Sequence, residues 1–262
     1  MDFDDAYANA AHIPDAAAYP PRWQERAARF RTEMATAGAA HLDIAYGPSA
    51  RSRLDLFLPK VTPHGLLVFV HGGYWLKFDK SYWSHLAAGP VSQGWAVAMP
   101  SYDLCPEVRI ADITQQTAQA VACAAQRIAG PVVLSGHSAG GHLVARMLAP
   151  EMLSEALISR LRRVVPISPV ADLRPLLQTA MNAEFQMDAA EAAAESPVLQ
   201  RAPVVPVTVW VGAKERPAFL DQARWLAKAW GAAHVEAAGL HHFNVIEDMT
   251  HADTALTKAL VA

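Results

Sequence analysis

Two short stretches of the chain carry side chains suited to attack on a carbonyl carbon. Gly136-His137-Ser138-Ala139-Gly140 sets a serine between glycines, and His71-Gly72-Gly73-Tyr74-Trp75 sets two glycines after a histidine. A serine hydroxyl becomes a useful nucleophile only when a base takes its proton and a carboxylate orients that base. Addition then places negative charge on the carbonyl oxygen, which preorganised backbone N–H groups stabilise. Glycine and serine are common, so the flanks of Ser138 decide its reading. Val132-Val133-Leu134 reads as a buried strand and Ala139–Leu148 as a helix. A strand–turn–helix of this kind lifts Ser138 on a strained turn, and the glycines let neighbouring backbone pass. The helix N-terminus beneath it favours developing negative charge. Gly72 and Gly73 follow a second buried run, Leu66–Val70. The amides of Gly73 and Tyr74, joined by that of Ala139, are therefore the expected oxyanion donors. His71 could serve as a base, but its expected use is to hold the turn by hydrogen bonding.

Nucleophiles on such turns have their partners in the chain order serine, acid, histidine. Glu215, in Gly212-Ala213-Lys214-Glu215 after the apolar run Val207–Val211, stands at the acid position. Asp172 is the runner-up, and its competing reading is an N-cap for Leu173–Leu177, with Pro175 in the first turn. The histidine falls in Gly239-Leu240-His241-His242-Phe243. Two adjacent histidines compete there, and the residues alone leave the choice open. His137 is expected to point away from the serine, and His142 to pack or bond locally.

The elements that must hold these groups follow from hydropathy. His41–Tyr46 and Leu54–Leu58 alternate apolar and polar residues, as half-buried antiparallel strands do. Continuous apolar runs follow at Leu66–Val70, Ala96–Met99, Val132–Leu134, Val164–Ile167 and Val207–Val211, as expected of strands covered on both faces. His234–Ala237 reads as the last strand. Helical segments intervene, notably Ile110–Ile128, Ala139–Leu148 and Pro217–Trp230, with a short one at Asp188–Glu195. The pattern predicts an α/β class: a mixed sheet of about eight strands, parallel through its centre, with helices on both faces. Residues 1–40 read as an N-terminal extension packing on a main domain of residues 41–262, one domain in all.

Composition narrows the function classes. With 52% hydrophobic and 18% charged residues in 262, a large core is affordable and disorder is excluded. A net charge of −3 argues against a nucleic-acid partner. No apolar run reaches spanning length and the N-terminus lacks a signal core, so no membrane partner is expected. Cys105 and Cys123 suit a reducing compartment, and a cytoplasmic location is expected. His-Glu-x-x-His, Cys/His clusters and phosphate-binding glycine loops are absent from the sequence, so neither metal nor cofactor is expected. The expected partner is a small-molecule acyl substrate; oligomeric state is not legible.

Together, His71–Trp75, Gly136–Gly140 and Ser101-Tyr102-Asp103-Leu104-Cys105-Pro106-Glu107 resemble the kynurenine formamidase (arylformamidase) branch of the α/β hydrolases. That branch lies near the hormone-sensitive-lipase-like esterases. Ser168–Leu177 and His242-Phe243-Asn244-Val245-Ile246-Glu247 look like that branch too. The likeness runs from about Tyr46 to Asp248 and implies the α/β-hydrolase fold. Relatives place the catalytic histidine directly before the phenylalanine, which selects His242, whereas esterases with His-Gly-Phe would align His241. The resemblance implies a Ser138–His242–Glu215 triad cleaving a small acyl group from N-formyl-L-kynurenine or a related aryl formamide. The alternative is a carboxylesterase on small esters, and a remote one is a non-catalytic binding protein. An aromatic leaving group would suit Trp75 and Tyr74, with Tyr102 and Asn182 as further substrate-binding candidates.

Overall fold

The protein's structure, a computed structural model, describes residues 2–261. Its eight strands are β1 (Ala40–Ala45), β2 (Arg53–Phe57), β3 (Leu66–Val70), β4 (Ala96–Pro100), β5 (Val132–His137), β6 (Leu161–Ile167), β7 (Thr208–Gly212) and β8 (Ala233–Ala237). They form one sheet in the order β1-β2-β4-β3-β5-β6-β7-β8. The β1–β2 and β2–β4 pairs are antiparallel, and every other pair is parallel. This is the mixed sheet that the hydropathy pattern predicts.

Alternation along the strands splits the core in two. Leu66, Val68 and Val70 of β3 join one cluster, while Leu67 and Phe69 join the other. Successive strand side chains point to opposite faces, so each apolar run supplies both layers. The first layer takes in Ile110, Ile113 and Val121 of the helix Ile110–Ala125, Leu143 and Val144 of Ala139–Arg146, and Phe219 and Leu226 of Pro217–Trp230. The second layer takes in Trp23 of the helix Tyr19–Thr36 and Leu256 and Leu260 of Ala255–Val261. Each fully buried Leu, Val or Phe contributes about 1.5–3 kcal/mol, so the two layers fix the sheet on which the loops stand.

The alternation in β2 misleads. Leu54, Asp55, Leu56 and Phe57 are all buried. Asp55 reads as a solvent-facing polar residue, but helix Tyr19–Thr36 covers its face. Its carboxylate lies 2.8 Å from Lys80 Nζ and 3.2 Å from Arg31 Nε, and it accepts from the Asp43 amide at 2.9 Å. Lys80 also pairs with Asp43 at 2.6 Å. Removing the carboxylate would leave the buried Lys80 with Asp43 alone and take from Arg31 its carboxylate partner. Asp55→Ala should therefore lower stability by about 3 kcal/mol, read as a lower urea midpoint with an unchanged slope. A change below about 1 kcal/mol would show that desolvation cancels the attraction.

The first residues lie over the carboxyl ends of the parallel strands. Tyr7 is buried with its ring 5.7 Å from that of Phe219, and its hydroxyl accepts from Gln222 Nε2 at 2.7 Å. Asp5 pairs with Arg216 and accepts from His12 at 2.7 Å. Pro20 and Pro21 open helix Tyr19–Thr36, where their fixed φ costs no hydrogen bond. Trp23 packs 4.7 Å from Trp83 and 5.4 Å from Phe243, donates to Glu247 Oε1 at 3.0 Å, and Arg26 pairs with the same carboxylate. Among the described residues no helix is long and apolar enough to cross a membrane.

Candidate active site

At the end of β5 the chain reverses sharply into helix Ala139–Arg146. Ser138 sits at the corner with φ 56° and ψ −117°, a conformation that costs an L residue about 1–3 kcal/mol. Its amide donates to the Ile167 carbonyl at 2.8 Å, and its carbonyl accepts from the His142 amide at 3.0 Å. A Cβ on Gly140 would stand 2.0 Å from the Val70 carbonyl oxygen, so only glycine lets the helix pass the end of β3. Because the corner is not extended, strand alternation does not carry through it. His137 consequently does not point away from the serine as expected. It lines the same cavity as Ser138, with its ring 4.6 Å from the His242 ring. Burial, and then the neighbouring His242, holds the His137 pKa well below the usual histidine value, so it sits there neutral.

Glu215 follows β7 and His242 follows β8, and the parallel pairing of these strands brings the two loops together. His242 Nδ1 lies 2.6 Å from Glu215 Oε2. A carboxylate there holds the Nδ1–H tautomer, which leaves Nε2 as the basic atom. The other carboxylate oxygen accepts from Ser168 Oγ at 2.5 Å and from the Gly212 amide at 2.9 Å. Phe219 flanks the imidazole at 4.4 Å between ring centroids. His241 is turned elsewhere: its Nδ1 accepts from the Phe243 amide at 3.2 Å, and its Nε2 lies 3.2 Å from Tyr19 Oη. Asp172 is taken up by Arg174, whose amide and guanidinium it accepts at 3.0, 2.9 and 2.7 Å. Arg174 holds the Asp172 carboxyl below the usual range despite partial burial.

The loop after β3 wraps against the serine corner. A Cβ on Gly72 would lie 2.8 Å from the His137 carbonyl oxygen and 3.0 Å from Ser138 Cβ. Gly73 has φ 120°, and Tyr74 and Trp75 have φ near 57° (56° and 58°), a left-handed course rare for side-chain-bearing residues. Among the described residues the amides of Gly73, Tyr74 and Ala139 donate to no protein acceptor. His71 is fully buried with its ring stacked 4.3 Å from that of Tyr102, and its Nδ1 donates to the Gly72 carbonyl at 2.7 Å. Burial pushes its pKa down to about 4, so it braces the turn as a neutral ring.

These loops and the N-terminal segment enclose a cavity of about 470 Å³. Ser138, His137, His242, Gly73 and Tyr74 form its floor, and Trp23, Phe78, Trp83 and Phe243 its aromatic sides. Asn9, Ala10, Ala11, Ala16, Ala17 and Pro20 close it from above. Three expected substrate-binding residues lie outside it. Trp75 is in the core, edge-on to His142 at 5.1 Å and Phe185 at 5.6 Å, because its left-handed backbone turns the ring inward. Tyr102 stacks under His71 and donates to the His71 carbonyl at 2.8 Å, which makes it a support of the loop. Asn182 bonds the Met187 amide and carbonyl, both at 3.1 Å, and closes a local turn. Sequence reasoning missed Ser168, Asn9 and the aromatic wall from Trp23, Phe78 and Trp83. Only Trp23, set within a helical stretch after Pro20-Pro21, offered a signal.

Residues 67–259 match the alpha/beta hydrolase family, and the chain belongs to it. It is a hydrolase, and it is similar to kynurenine formamidases. It is 29% identical to a kynurenine formamidase of Danio rerio over 241 residues, 84% of this chain and 80% of that protein. It is 27% identical to a kynurenine formamidase of Drosophila melanogaster, over 83% of this chain and 79% of the other. Among solved structures, a chain from Silicibacter sp. TM1040 described as a candidate thioesterase superposes with a TM-score of 0.98 at 60% identity, covering both chains fully. Esterase B of Lactobacillus rhamnosis superposes with a TM-score of 0.65 at 19% identity over 91% of this chain and 92% of its own, which shows the fold alone.

Proposed function

We propose that the protein is an arylformamidase acting on N-formyl-L-kynurenine or a related aryl formamide through the triad Ser138–His242–Glu215. The observation that carries this reading is the aromatic wall around Ser138. Trp23, Phe78, Trp83 and Phe243 offer flat apolar surfaces to an aryl leaving group, while the formyl half needs almost no room of its own. A cavity of about 470 Å³ suits a small molecule. The kynurenine formamidases it resembles support the same substrate class.

His242 Nε2 takes the proton as Ser138 Oγ bonds to the formyl carbon, and the amides of Gly73, Tyr74 and Ala139 receive the oxyanion. Glu215, held by Ser168 and the Gly212 amide, stabilises the imidazolium. The imidazolium then protonates the departing nitrogen, and the C–N bond breaks to leave a formyl ester on Ser138. Water, deprotonated by the same histidine, releases formate and restores the serine.

The test is kcat/KM on N-formylkynurenine against a p-nitrophenyl ester and an acyl thioester. The thioester is included because the 60% identical Silicibacter chain is described as a candidate thioesterase. A preference of about tenfold or more for the formamide is expected. A preference of orders of magnitude for either ester would replace this reading with that activity.

A further inference from the structure

Among the described residues that line the cavity over Ser138, Lys77 alone is a lysine or arginine, and none is an aspartate or glutamate. Lys77 belongs to the glycine loop after β3. Its amide donates to the Gly73 carbonyl at 3.2 Å, and a Cβ on Gly73 would stand 2.3 Å from its carbonyl oxygen. The loop thus folds back and sets Lys77 beside a candidate oxyanion donor. Its Nζ lies 5.5 Å from the Phe78 ring centroid and 6.0 Å from that of Tyr74, and both rings line the same cavity. Tyr74 is fixed in place, because its Oη donates to the Tyr7 carbonyl at 2.6 Å and accepts from Asn9 Nδ2 at 2.8 Å.

Ring faces attract an ammonium group but do not replace the charge-assisted hydrogen bonds of a carboxylate. Among the described residues the Lys77 Nζ has no hydrogen-bond or ion-pair partner, and the residue is exposed, so a ligand can reach it. The neighbouring cations are already engaged. Arg22 donates to the Ala18 carbonyl at 3.0 Å, Arg26 pairs with Glu247, and Arg216 pairs with Asp5. One uncompensated positive charge therefore stands at the rim of an otherwise apolar cavity, where the walls weaken its screening by water.

We propose that Lys77 is a substrate-binding, specificity-determining residue whose ammonium binds a carboxylate on the leaving half of the substrate, so that the preferred substrates are anionic aryl formamides. This rests on the aryl formamide reading of the site, since a formyl group has no carbon on which to carry a carboxylate. With the formyl oxygen at the Gly73 amide, the ring lies against the aromatic walls and a side chain on the ring extends to the rim. A carboxylate there finds the ammonium without a rival anion. A neutral end gains nothing from it, and a cationic one is repelled.

The experiment uses the full chain with 4-(2-formamidophenyl)-4-oxobutanoate and the corresponding primary amide, which share the formamide, the ring and the chain length and differ in charge. Wild-type kcat/KM is expected to favour the carboxylate about fivefold or more, chiefly through KM. Lys77→Met should abolish that preference while leaving kcat on the amide within about twofold, and Lys77→Arg should keep it. Each ratio is measured on one preparation, so any loss of folded protein cancels. A wild type indifferent to the charge, or a preference that survives Lys77→Met, overturns the proposal. Loss of the preference in Lys77→Arg as well as Lys77→Met would show that packing rather than charge sets it, and overturns it too. If the wild type cleaves neither formamide, the arylformamidase reading falls, and inhibition of p-nitrophenyl ester hydrolysis decides the present one. In that case 4-oxo-4-phenylbutanoate must inhibit the wild type more strongly than 4-oxo-4-phenylbutanamide, and Lys77→Met no more strongly. Any other pattern overturns the assignment of Lys77.

Discussion

Ser138→Ala is expected to lower kcat by about 10⁴-fold or more on every substrate the protein turns over, and to abolish labelling by a fluorophosphonate. The size of the effect follows from the site. The hydroxyl is the atom that forms the acyl intermediate, and among the described residues no cysteine or second serine lines the cavity to replace it. The substitution should leave the fold alone. The Ser138 side chain caps no helix, and its backbone bonds to Ile167 and His142 do not depend on the hydroxyl. An unchanged thermal transition would therefore accompany the loss. Equal probe labelling of wild type and variant would place the nucleophile elsewhere and end the serine-hydrolase reading.

The second large effect is a contrast between neighbours. His242→Ala should reduce kcat by about 10³-fold or more, whereas His241→Ala should cost no more than about tenfold. Both side chains are imidazoles one residue apart, so only their surroundings distinguish them. His242 points its Nδ1 at Glu215 and leaves Nε2 on the cavity side, while His241 spends Nδ1 on the Phe243 amide and faces Tyr19. Burial also lowers the His241 pKa below the usual histidine value. Equal or reversed losses in side-by-side assays would exchange the two roles.

The fold was legible because parallel strands buried on both faces write themselves as unbroken apolar runs. Five of the strands, β3 to β7, and the serine corner can be read that way, while β1 and β2 are marked by alternation. The candidates Glu215 and the pair His241-His242 were also within reach, since each lies just past the end of a strand that the pattern marks, but the strand pattern does not choose between the two histidines. What escaped has a common physical cause. Asn9 stands in Ala8-Asn9-Ala10-Ala11, where nothing local marks it, and its partner Tyr74 is 65 positions away. Ser168 becomes significant only because β6 and β7 lie side by side and carry it to Glu215, 47 residues on. Asp55 sits in a pattern that promises solvent, and the helix covering it precedes it by some 20 residues. Trp75 and Tyr102 were misplaced because an aromatic next to a glycine loop can face either way. Their positions depend on a left-handed backbone at Tyr74 and Trp75 that residue types do not announce.

The separation of roof from floor has an evolutionary consequence. Bond-making groups come from loops spread between His71 and His242, each anchored to the sheet, so a change there risks the chemistry itself. The roof comes from one contiguous stretch between Asn9 and Trp23, and its ion pair Asp5–Arg216 and hydrogen bond Trp23–Glu247 lie at or beyond its two ends. Between those anchors, residues such as Ala10, Ala11, Ala16 and Ala17 are free to vary in size and polarity without disturbing the serine, the histidine or the carboxylate. Mutational drift in a dozen consecutive codons could thus retune which molecules enter while the catalytic apparatus stays intact, and libraries aimed at new substrates would be built there first.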